Sequence, residues 1–430
     1  MNPHSANPCS TNLHSAKPHS TNPRSAQPHS SNPNQSVDYL IIGAGIIGLT
    51  IARALQQRDP GANLTLIDKE PRLGQHASGR NSGVLHSGIY YSAESLKARF
   101  TRDGNAAWQA YCTERGLSLE RCGKLIVARH AEEHARLATL EQRGRVNGVE
   151  VQRLDETETR ALEPRARTFG HALFVPSTAS VDPMQLMAAQ QADVIAAGGT
   201  LLCNHPYRAH LGDNRIQAGP ERLQAGTIIN CAGLYADRIA HDFGFGQAYS
   251  LLPFKGLYRY ANPGAEPPRT HLYPVPDLRQ PFLGVHFTRT LDGRTKIGPT
   301  AIPALWREHY AGLSRFRLSE LLEIARRELF MFVTNRNDFR ALARQELRKQ
   351  RRSYMVAEAA TLLHGAEAMG HQHGRPGIRA QLVERKTNRL VMDFVIEGDA
   401  KSVHVLNAVS PALTCAIPFA DHLVTGYLNT

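Results

Sequence analysis

The stretch from Val37 to Asp68 constrains the fold of this chain more than any other. It opens with the apolar run VDYLII, which is typical of a buried parallel strand, continues as GAGIIG, and ends in a second apolar run closed by Asp68. In this pattern Gly43 permits a tight turn, Gly45 lets the backbone approach a pyrophosphate, and Gly48 lets helix and strand pack closely. The helix that follows directs its N-terminus at negative charge, and Asp68 can accept hydrogen bonds from ribose hydroxyls. The stretch therefore predicts a βαβ unit that binds a dinucleotide.

Length and composition bound the remaining possibilities. A chain of 430 residues can bury a large core and hold two connected domains. It has no apolar run long enough to span a bilayer and no secretory h-region, so we expect a cytoplasmic protein. The six cysteines are scattered without metal-type spacing, which predicts free thiols and no metal site. The formal net charge of +12 favours an anionic substrate or an anionic membrane surface, and no nucleic-acid motif accompanies it.

Residues 1–36 form a degenerate five-residue repeat (NPHSA, NPCST, NLHSA and onwards). Proline recurs where a helix or central strand needs an amide hydrogen, and apolar residues are almost absent. We expect a disordered tail. Metal binding through its histidines, or targeting, are alternatives that the spacing does not favour.

The rest of the chain alternates strand and helix patterns. Glycine and serine are dense from Ser78 to Gly88, which lets backbone amides crowd a cofactor. Short β-like pieces with turns predict an antiparallel sheet from Ser250 to Pro303, including a hairpin turn at Leu291–Gly293. Ser410 is expected to cap a closing helix and Pro411 to be its first helical residue. Other predicted elements are strands at Gly123–Ala128, Thr200–Cys203, Thr227–Cys231, Gly377–Leu382, Val391–Glu397 and Ser402–Asn407, and helices at Glu132–Val146, Leu154–Pro164, Pro183–Ala197, Tyr235–His241, Trp306–Leu363 and Ser410–Leu428.

Several strings together resemble one family. GRNSGVLHSGIYY (Gly79–Tyr91), HLYPVPDLRQPFLGVHFTRTLDG (His271–Gly293), PGIRAQLV (Pro376–Val383) and NAVSPALTCAIP (Asn407–Pro418) are similar to the L-2-hydroxyglutarate dehydrogenase/oxidase family, within the D-amino-acid-oxidase-like flavoproteins. One departure is GPTA, with Thr300 where the family usually has asparagine. The resemblance implies FAD, held tightly without a covalent bond, and oxidation of L-2-hydroxyglutarate to 2-oxoglutarate. It also implies a quinone or oxygen as the electron acceptor.

The fold class follows from these patterns and the resemblance. We predict an α/β protein with a Rossmann-type FAD-binding domain and an interleaved antiparallel β-sheet substrate domain. The predicted segments are a tail at 1–36, FAD-binding parts at 37–125, 171–245 and 376–430, a substrate-domain segment at 126–170, and a substrate domain with a helical insert at 246–375.

The cofactor residues are expected in four places: the glycine turn, the Gly/Ser-rich loop, a second glycine turn after Cys231, and the start of the closing helix. In this fold the N-terminus of that helix would point at the flavin pyrimidine edge and stabilise an anionic reduced flavin. The expected set is Gly43, Gly45, Ile46, Ile47, Gly48, Asp68, Lys69, Ser78, Arg80, Asn81, Ser82, Gly83, Gly233, Ser410 and Ala412.

Oxidation of a 2-hydroxy acid needs a base for the hydroxyl proton and cations for the carboxylates. His86, between Gly83 and Gly88, is the first candidate base; its alternative role is purely structural. His286 is the second candidate, because strand alternation turns it away from Val285 and Phe287. The candidate substrate-binding residues are Tyr91, Lys255, Arg289 and Arg379.

Two other functions stay open on the sequence. A flavin-dependent oxidase of glycine- or sarcosine-like amino acids would share the FAD frame and differ in the substrate domain. A non-catalytic flavin- or nucleotide-binding protein would lack the candidate base and cations. The arginine-rich segment Trp306–Leu363, with its apolar cluster Leu329–Val333, adds peripheral contact with the inner membrane face as a further expectation.

Overall fold

A computed structural model describes residues 36–277, 283–335, 338–408 and 410–428. The predicted tail up to residue 35, and residues 278–282 of the family-like string, lie outside the described residues. The strands are β1 Ser36–Ile42, β2 Leu64–Ile67, β3 Val84–Leu85, β4 Leu119–Glu120, β5 Lys124–Val127, β6 Gln152–Asp155, β7 His171–Val175, β8 Ala179–Val181, β9 Thr200–Leu202, β10 Tyr207–His210, β11 Arg215–Ala218, β12 Glu221–Asn230, β13 Tyr249–Gly256, β14 Arg259–Ala261, β15 His271–Pro274, β16 His286–Arg289, β17 Thr295–Gly298, β18 Ile302–Pro303, β19 His371–His373, β20 Gly377–Glu384, β21 Val395–Gly398 and β22 Ser402–Asn407. The α-helices are α1 Ile46–Arg58, α2 Leu96–Glu114, α3 His134–Val146, α4 Glu156–Leu162, α5 Pro183–Ala196, α6 Ala236–Asp242, α7 Leu318–Thr334, α8 Phe339–Arg348, α9 Arg352–Ala360 and α10 Ala412–Tyr427.

An eight-stranded sheet, here called the parallel sheet, forms the predicted dinucleotide domain. Its central strands β9, β2, β1, β12 and β22 all pair in parallel, and β10, β11 and β21 add antiparallel edges. Both faces are apolar, as a covered parallel sheet requires. Ile41 packs towards α1, α2, α5 and α10, whereas Leu40 and Ile42 pack towards α6 on the other face. The α/β Rossmann-type fold class is confirmed.

A second eight-stranded sheet, here called the mixed sheet, has the order β19-β14-β17-β16-β15-β5-β7-β6. Its strands alternate strictly between two environments. One face carries Leu125, Leu272, Phe287 and Ile297, which pack under α9 in an apolar core. The opposite face carries Lys124, His271, Tyr273, His286 and Lys296, as the two-residue period of each strand requires. This polar face is the one that meets the cavity described below.

The structure differs from the predicted elements where pairing partners are distant in sequence. The segment Ser250–Pro303 is not a single antiparallel sheet: β13 and β18 form a three-stranded sheet with β20, and β15 pairs with β5 in parallel. Gly377–Glu384 therefore lies beside β13 and not in the parallel sheet, and β7 belongs to the mixed sheet. The domain boundaries themselves stay a prediction. The hairpin turn at Leu291–Gly293 does join β16 to β17.

Some helices and strands begin at residues other than those predicted, for local reasons. Leu154–Pro164 begins in strand β6, and α4 starts only after Asp155, which with Glu158 forms a capping box. Trp306–Leu363 contains three helices, but the first of them starts at Leu318. Val391–Glu397 is a strand only from Val395, and Ser36 already belongs to β1 and not to the tail.

The closing helix begins later in the sequence than predicted. α10 begins at Ala412, Pro411 is its N-cap residue, and no side chain caps it, so the assignments of Ser410 as N-cap and Pro411 as first helical residue were wrong. The helix nevertheless packs where the fold needs it, because Trp108 of α2 donates its indole N–H to Leu413 O at 2.7 Å. A Cβ at Gly104 would lie 1.9 Å from Thr414 O, which shows how closely α2 and α10 approach each other.

Candidate functional site

A cavity of about 1680 Å³ lies between the carboxyl ends of the parallel strands and the polar face of the mixed sheet. Its volume exceeds the roughly 300–1,000 Å³ of a usual small-molecule site, so it has room for a dinucleotide together with a substrate. The turn after β1 lines this cavity, and so do His86 and His286. Ligands of open α/β sheets bind at this edge, outside the strand ends.

The glycine turn leaves no room for side chains. Gly43 has φ +105°, and a Cβ there would lie 2.5 Å from Cys231 O. A Cβ on Gly48 would lie 2.0 Å from Gly43 O, so this residue packs α1 against β1 and does not line the cavity. Gly45 lies beside Ser78, whose Oγ accepts a hydrogen bond from Ile46 N at 3.0 Å. The start of α1 therefore borders the cavity with bare backbone, which is what a pyrophosphate needs.

Asp68 ends β2 beside this turn. Its Oδ2 accepts from Ala44 N at 3.0 Å and its Oδ1 accepts from Glu70 N at 2.9 Å. These bonds fix the carboxylate in the cavity wall while lone pairs remain for ribose hydroxyls. A dinucleotide such as FAD fits these residues, because turn, helix start and acid converge on one end of the cavity.

An ion-pair network lies next to Asp68, and no local sequence pattern predicts it. Lys69 Nζ lies 2.6 Å from both Glu70 Oε1 and Glu308 Oε1, and Arg315 contacts the same two carboxylates. Arg315, followed by Lys69 and His76, holds the pKa of Glu70 far below its usual range against the opposing effect of burial. Glu70, His76 and Glu308 could group around a metal ion, but the two cations already neutralise them.

Most predicted cofactor residues line the cavity, and two do not. Gly83 has φ +72° and turns the chain against Val181 O, so it is a structural residue like Gly48. Asn81 accepts a bond from Gly83 N and donates to Ser78 O, which shapes the Gly/Ser-rich loop. The predicted residues that line the cavity are Gly43, Gly45, Ile46, Ile47, Asp68, Lys69, Ser78, Arg80, Asn81, Ser82, Gly233, Ser410 and Ala412.

Two imidazoles, on different elements, line the cavity beside Tyr273. His86 follows β3, and its backbone N–H donates to Thr414 Oγ1 of α10 at 3.1 Å. His286 lies on β16, where it stacks on Tyr273 with ring centres 3.9 Å apart. The alternation predicted for this strand is confirmed, since Val285 and Phe287 lie in the apolar core on the other face.

The hydrogen bonding of Nδ1 differs between the two imidazoles. His286 Nδ1 lies 2.9 Å from Gly284 O, so Nδ1 carries the proton and Nε2 is the acceptor nitrogen of the neutral ring. His86 Nδ1 is buried without a hydrogen-bond partner among the described residues. Burial, and then nearby cations, lower both pKa values: that of His286 to about 3, and that of His86 well below its ordinary value.

The predicted cations are not brought together. Arg379 lines the cavity, but Lys255 and Arg289 do not. Arg289 Nε donates to Glu120 Oε1 at 2.5 Å, and burial lowers the pKa of Lys255 on β13. Arg143 of α3 lines the cavity instead, with its Nη1 donating to Tyr90 O at 2.9 Å.

Two further residues named in the sequence analysis are Tyr91 and Thr300. Tyr91 lines the cavity, as predicted, and burial raises the pKa of its phenol. Thr300 is fully buried outside the cavity; its Oγ1 accepts from Leu257 N and donates to Lys255 O. The departure at Thr300 therefore falls on a residue that joins two backbone segments.

The sequence reasoning missed two buried lysines of the mixed sheet, Lys124 and Lys296. Burial lowers the pKa of Lys124 to about 7 and that of Lys296 to about 8. The signal was present in GKLIVA and RTKIG, because a charged residue alternating with apolar ones sits on the polar face of a strand. The sequence pattern does not predict that other segments would enclose this face of the mixed sheet.

Comparisons with known proteins agree with this geometry. The family model for FAD dependent oxidoreductases (DAO) matches residues 38–425. L-2-Hydroxyglutarate dehydrogenase of Escherichia coli strain K12 is 34% identical over 397 residues, covering 90% of this chain and 92% of that protein. The mitochondrial L-2-hydroxyglutarate dehydrogenase of Homo sapiens is 35% identical over 421 residues, covering 89% and 87%.

Solved structures show the same fold at lower identity. Dithionite-reduced L-alpha-glycerophosphate oxidase from Mycoplasma pneumoniae, with FAD bound, has a TM-score of 0.69 at 23% identity, covering 91% of this chain and 94% of that one. Glycine oxidase from Geobacillus kaustophilus has a TM-score of 0.66 at 18% identity, with the same coverage of both chains.

Proposed function

The chain belongs to the L-2-hydroxyglutarate dehydrogenases within the FAD-dependent oxidoreductases, and from this membership we propose that it oxidises L-2-hydroxyglutarate to 2-oxoglutarate. One observation connects the proposed reaction with this cavity. A single cavity is lined by the dinucleotide-binding turn, by His86 and His286, and by Arg379. These are the groups that a 2-hydroxy acid needs, namely a base for its hydroxyl proton and a cation for its carboxylate.

FAD, when bound, accepts the hydride that leaves C2 of the substrate. The chain's own residues do the rest. The glycine turn and the first turn of α1 bind the diphosphate, and Asp68 binds the ribose. The N-terminus of α10 lines the cavity at Ala412 and places a partial positive charge there.

We assign the base to His86, with His286 as the alternative. Burial lowers the pKa of both imidazoles, and nearby cations, Lys124 among them, oppose a proton on either ring. His86 is preferred because its backbone N–H is bonded to Thr414 in the first turn of α10, the helix start that lines the cofactor cavity. The fixed tautomer of His286 is the observation that favours the alternative, since Nε2 is already the acceptor nitrogen.

The substrate carries two carboxylates, so the site must offer two cations. Arg379 reaches the cavity from β20, and Arg143 reaches it from α3 on another wall. Guanidinium groups bind carboxylates with two parallel hydrogen bonds. We assign one carboxylate to each arginine. Removing either partner should leave a carboxylate unpaired and cost roughly 2–5 kcal/mol.

The deciding experiment is anaerobic stopped-flow reduction of the FAD-loaded protein. L-2-Hydroxyglutarate should bleach the flavin absorbance, and the D enantiomer should not, because inversion at C2 turns the hydride away once both carboxylates are fixed. His86→Asn should keep FAD and slow reduction by about a hundredfold or more. An unchanged rate in His86→Asn together with a loss of that size in His286→Asn would move the base to His286. Faster reduction by glycine or sarcosine would make the chain an amino acid oxidase, and no reduction by any of these compounds would favour a non-catalytic flavoprotein.

The electron acceptor and the membrane contact form one further part of the proposal. Among the described residues no helix is long and apolar enough to cross a membrane. α7 nevertheless exposes Leu322, Leu329 and Val333 to more than half of their extent, and Arg326 and Arg344 are exposed on α7 and α8. We assign this surface to an anionic bilayer, where a quinone is within reach. Oxygen is the other acceptor.

Flotation with anionic liposomes tests the contact. The protein should float at low salt and be released at high salt, because each exposed basic residue adds about 1 kcal/mol near an anionic surface. Leu329→Glu should weaken flotation without changing reduction by substrate. No flotation of the wild type at low salt would remove the membrane contact and leave the activity proposal intact.

A further inference from the structure

Lys124 lies on the polar face of the mixed sheet, beside two tyrosines that border the cavity. Its side chain is fully buried, and its Nζ lies 4.3 Å from the ring centre of Tyr90 and 5.5 Å from that of Tyr273. Both tyrosines line the cavity, whereas Lys124 does not. The amine therefore lies against two aromatic rings that border the substrate space.

The amine has no polar partner among the described residues. Lys124 Nζ, His86 Nδ1 and Tyr90 Oη are all buried and make no hydrogen bond. A buried amine without a partner lowers stability, and a methionine side chain would fill the same space without that cost. A buried unsatisfied group in a native protein calls for an explanation, and a role in the chemistry of the adjacent cavity is one.

The groups that face Lys124 and His86 leave this space without a negative charge. Burial alone lowers the pKa of Lys124 to about 7, and after burial the charge of Lys124 is the largest influence that lowers the pKa of His86. The charge of Arg379 changes the pKa of His286, and the charges of Asp292 and Arg294 change the pKa of Lys296. These three charges influence neighbours of Lys124 and His86, not the two residues themselves. The titratable and charged groups around the pair are Tyr90 from the loop after β3, His271 and Tyr273 from β15, His286 from β16 and Lys296 from β17.

We infer that Lys124 is a positioning residue for His86, and that the two side chains together take up one added proton but not two. The inference rests on the proposed function. In the oxidation the substrate O–H bond breaks and its proton forms an N–H bond on His86, while the hydride from C2 reduces FAD and the C=O bond forms. An ammonium at Lys124 opposes that proton, and a neutral amine admits it.

The rate of flavin reduction should therefore follow the protonation of Lys124. At saturating L-2-hydroxyglutarate, from about pH 5.5 to about pH 9.5, the wild-type rate should rise with pH through a limb near 7 and then level off. In Lys124→Met the limb should move to lower pH, because buried His86, whose pKa lies well below its ordinary value, is then the group that titrates. In Lys124→Arg the cation persists at every pH, so the rate should stay low even on the alkaline side.

The matched control is Lys386→Met, the same substitution at an exposed lysine, which should reproduce the wild-type profile. A structural role alone would lower the rate equally at all pH values and leave the limb in place. An unchanged limb in Lys124→Met, or wild-type rates for Lys124→Arg at alkaline pH, would overturn the inference.

A measurement on the wild-type protein tests the inference even if the variants fail to fold. The ring carbon signals of the histidines can be followed by NMR against pH, with the His86 signal identified by its loss in His86→Asn. That signal should inflect near pH 7 as Lys124 titrates, and it should not show imidazolium there. Simple protonation of His86 at its ordinary pKa would overturn the inference without any substrate. Failure of the wild-type flavin to be reduced by L-2-hydroxyglutarate would overturn the proposed function and leave this result standing.

Discussion

Substitution of Arg307 by methionine tests how the cofactor cavity is held closed. Arg307 and Asp237 are both 2% exposed in their side chains, and their two hydrogen bonds join Nη1 to Oδ1 at 2.6 Å and Nη2 to Oδ2 at 2.9 Å. Arg307 Nη1 also donates to Leu234 O, and Leu251 N donates to Asp237 Oδ2. The pair fixes the segment that carries Glu308 to α6. Since Glu308 lines the cavity, losing the pair should also weaken FAD binding.

The expected loss is about 3–5 kcal/mol of unfolding free energy, the usual cost of breaking a buried pair by removing one partner. The loss should depend on pH with a defined sign. Burial raises the pKa of Asp237, but the charge and hydrogen bonds of Arg307 outweigh it, so the pKa lies below its ordinary value and the pair stabilises the protein above that value. In Arg307→Met burial prevails, the folded-state pKa rises, and Asp237 stabilises the variant only at low pH. The deficit should therefore shrink from about pH 8 to about pH 5.

Denaturant unfolding of the FAD-loaded protein, followed by tryptophan fluorescence, measures the deficit at both pH values. The double variant Arg307→Met/Asp237→Leu should regain most of the stability, because two apolar side chains leave no buried charge. The control is Arg160→Met, which breaks the exposed pair with Glu156 and should cost under about 1 kcal/mol. A deficit below about 1 kcal/mol in Arg307→Met, or one that grows towards low pH, would refute the reasoning.

Three further predictions follow from the same structure. Gly48→Ala places a methyl group 2.0 Å from a backbone oxygen of the glycine turn and should abolish flavin absorbance in the purified protein, whereas Gly61→Ala, where the nearest atom is 3.8 Å away, should keep it. Arg379→Met should lower kcat/KM for L-2-hydroxyglutarate at least about tenfold in steady-state assays, and a larger loss in Lys255→Met would contradict the placement of Lys255 outside the cavity. Deletion of residues 1–35 should leave melting temperature and turnover unchanged, since this repeat lacks core-forming residues; a loss of either would show that it binds something.

The sequence by itself determined the features that depend on neighbouring residues. The limits of Leu64–Ile67 and the start of α1 at Ile46 were predicted correctly, because apolar runs and glycines act over a few residues. The alternation of the FLGVHFT strand likewise placed His286 on the polar face, since the two-residue period of a strand is local geometry.

Tertiary structure alone decided which charges meet. Arg289 was a reasonable carboxylate ligand in the sequence, but the fold pairs it with Glu120, 169 residues away along the chain. In the sequence Lys124 resembles an ordinary strand lysine. In the structure β5 pairs in parallel with β15, and Lys124 lies against the ring of Tyr90. A strand pattern fixes the direction of a side chain relative to its own backbone. What lies opposite that side chain, and whether water reaches it, depends on segments that local sequence cannot specify, and burial is what changes the pKa of Lys124.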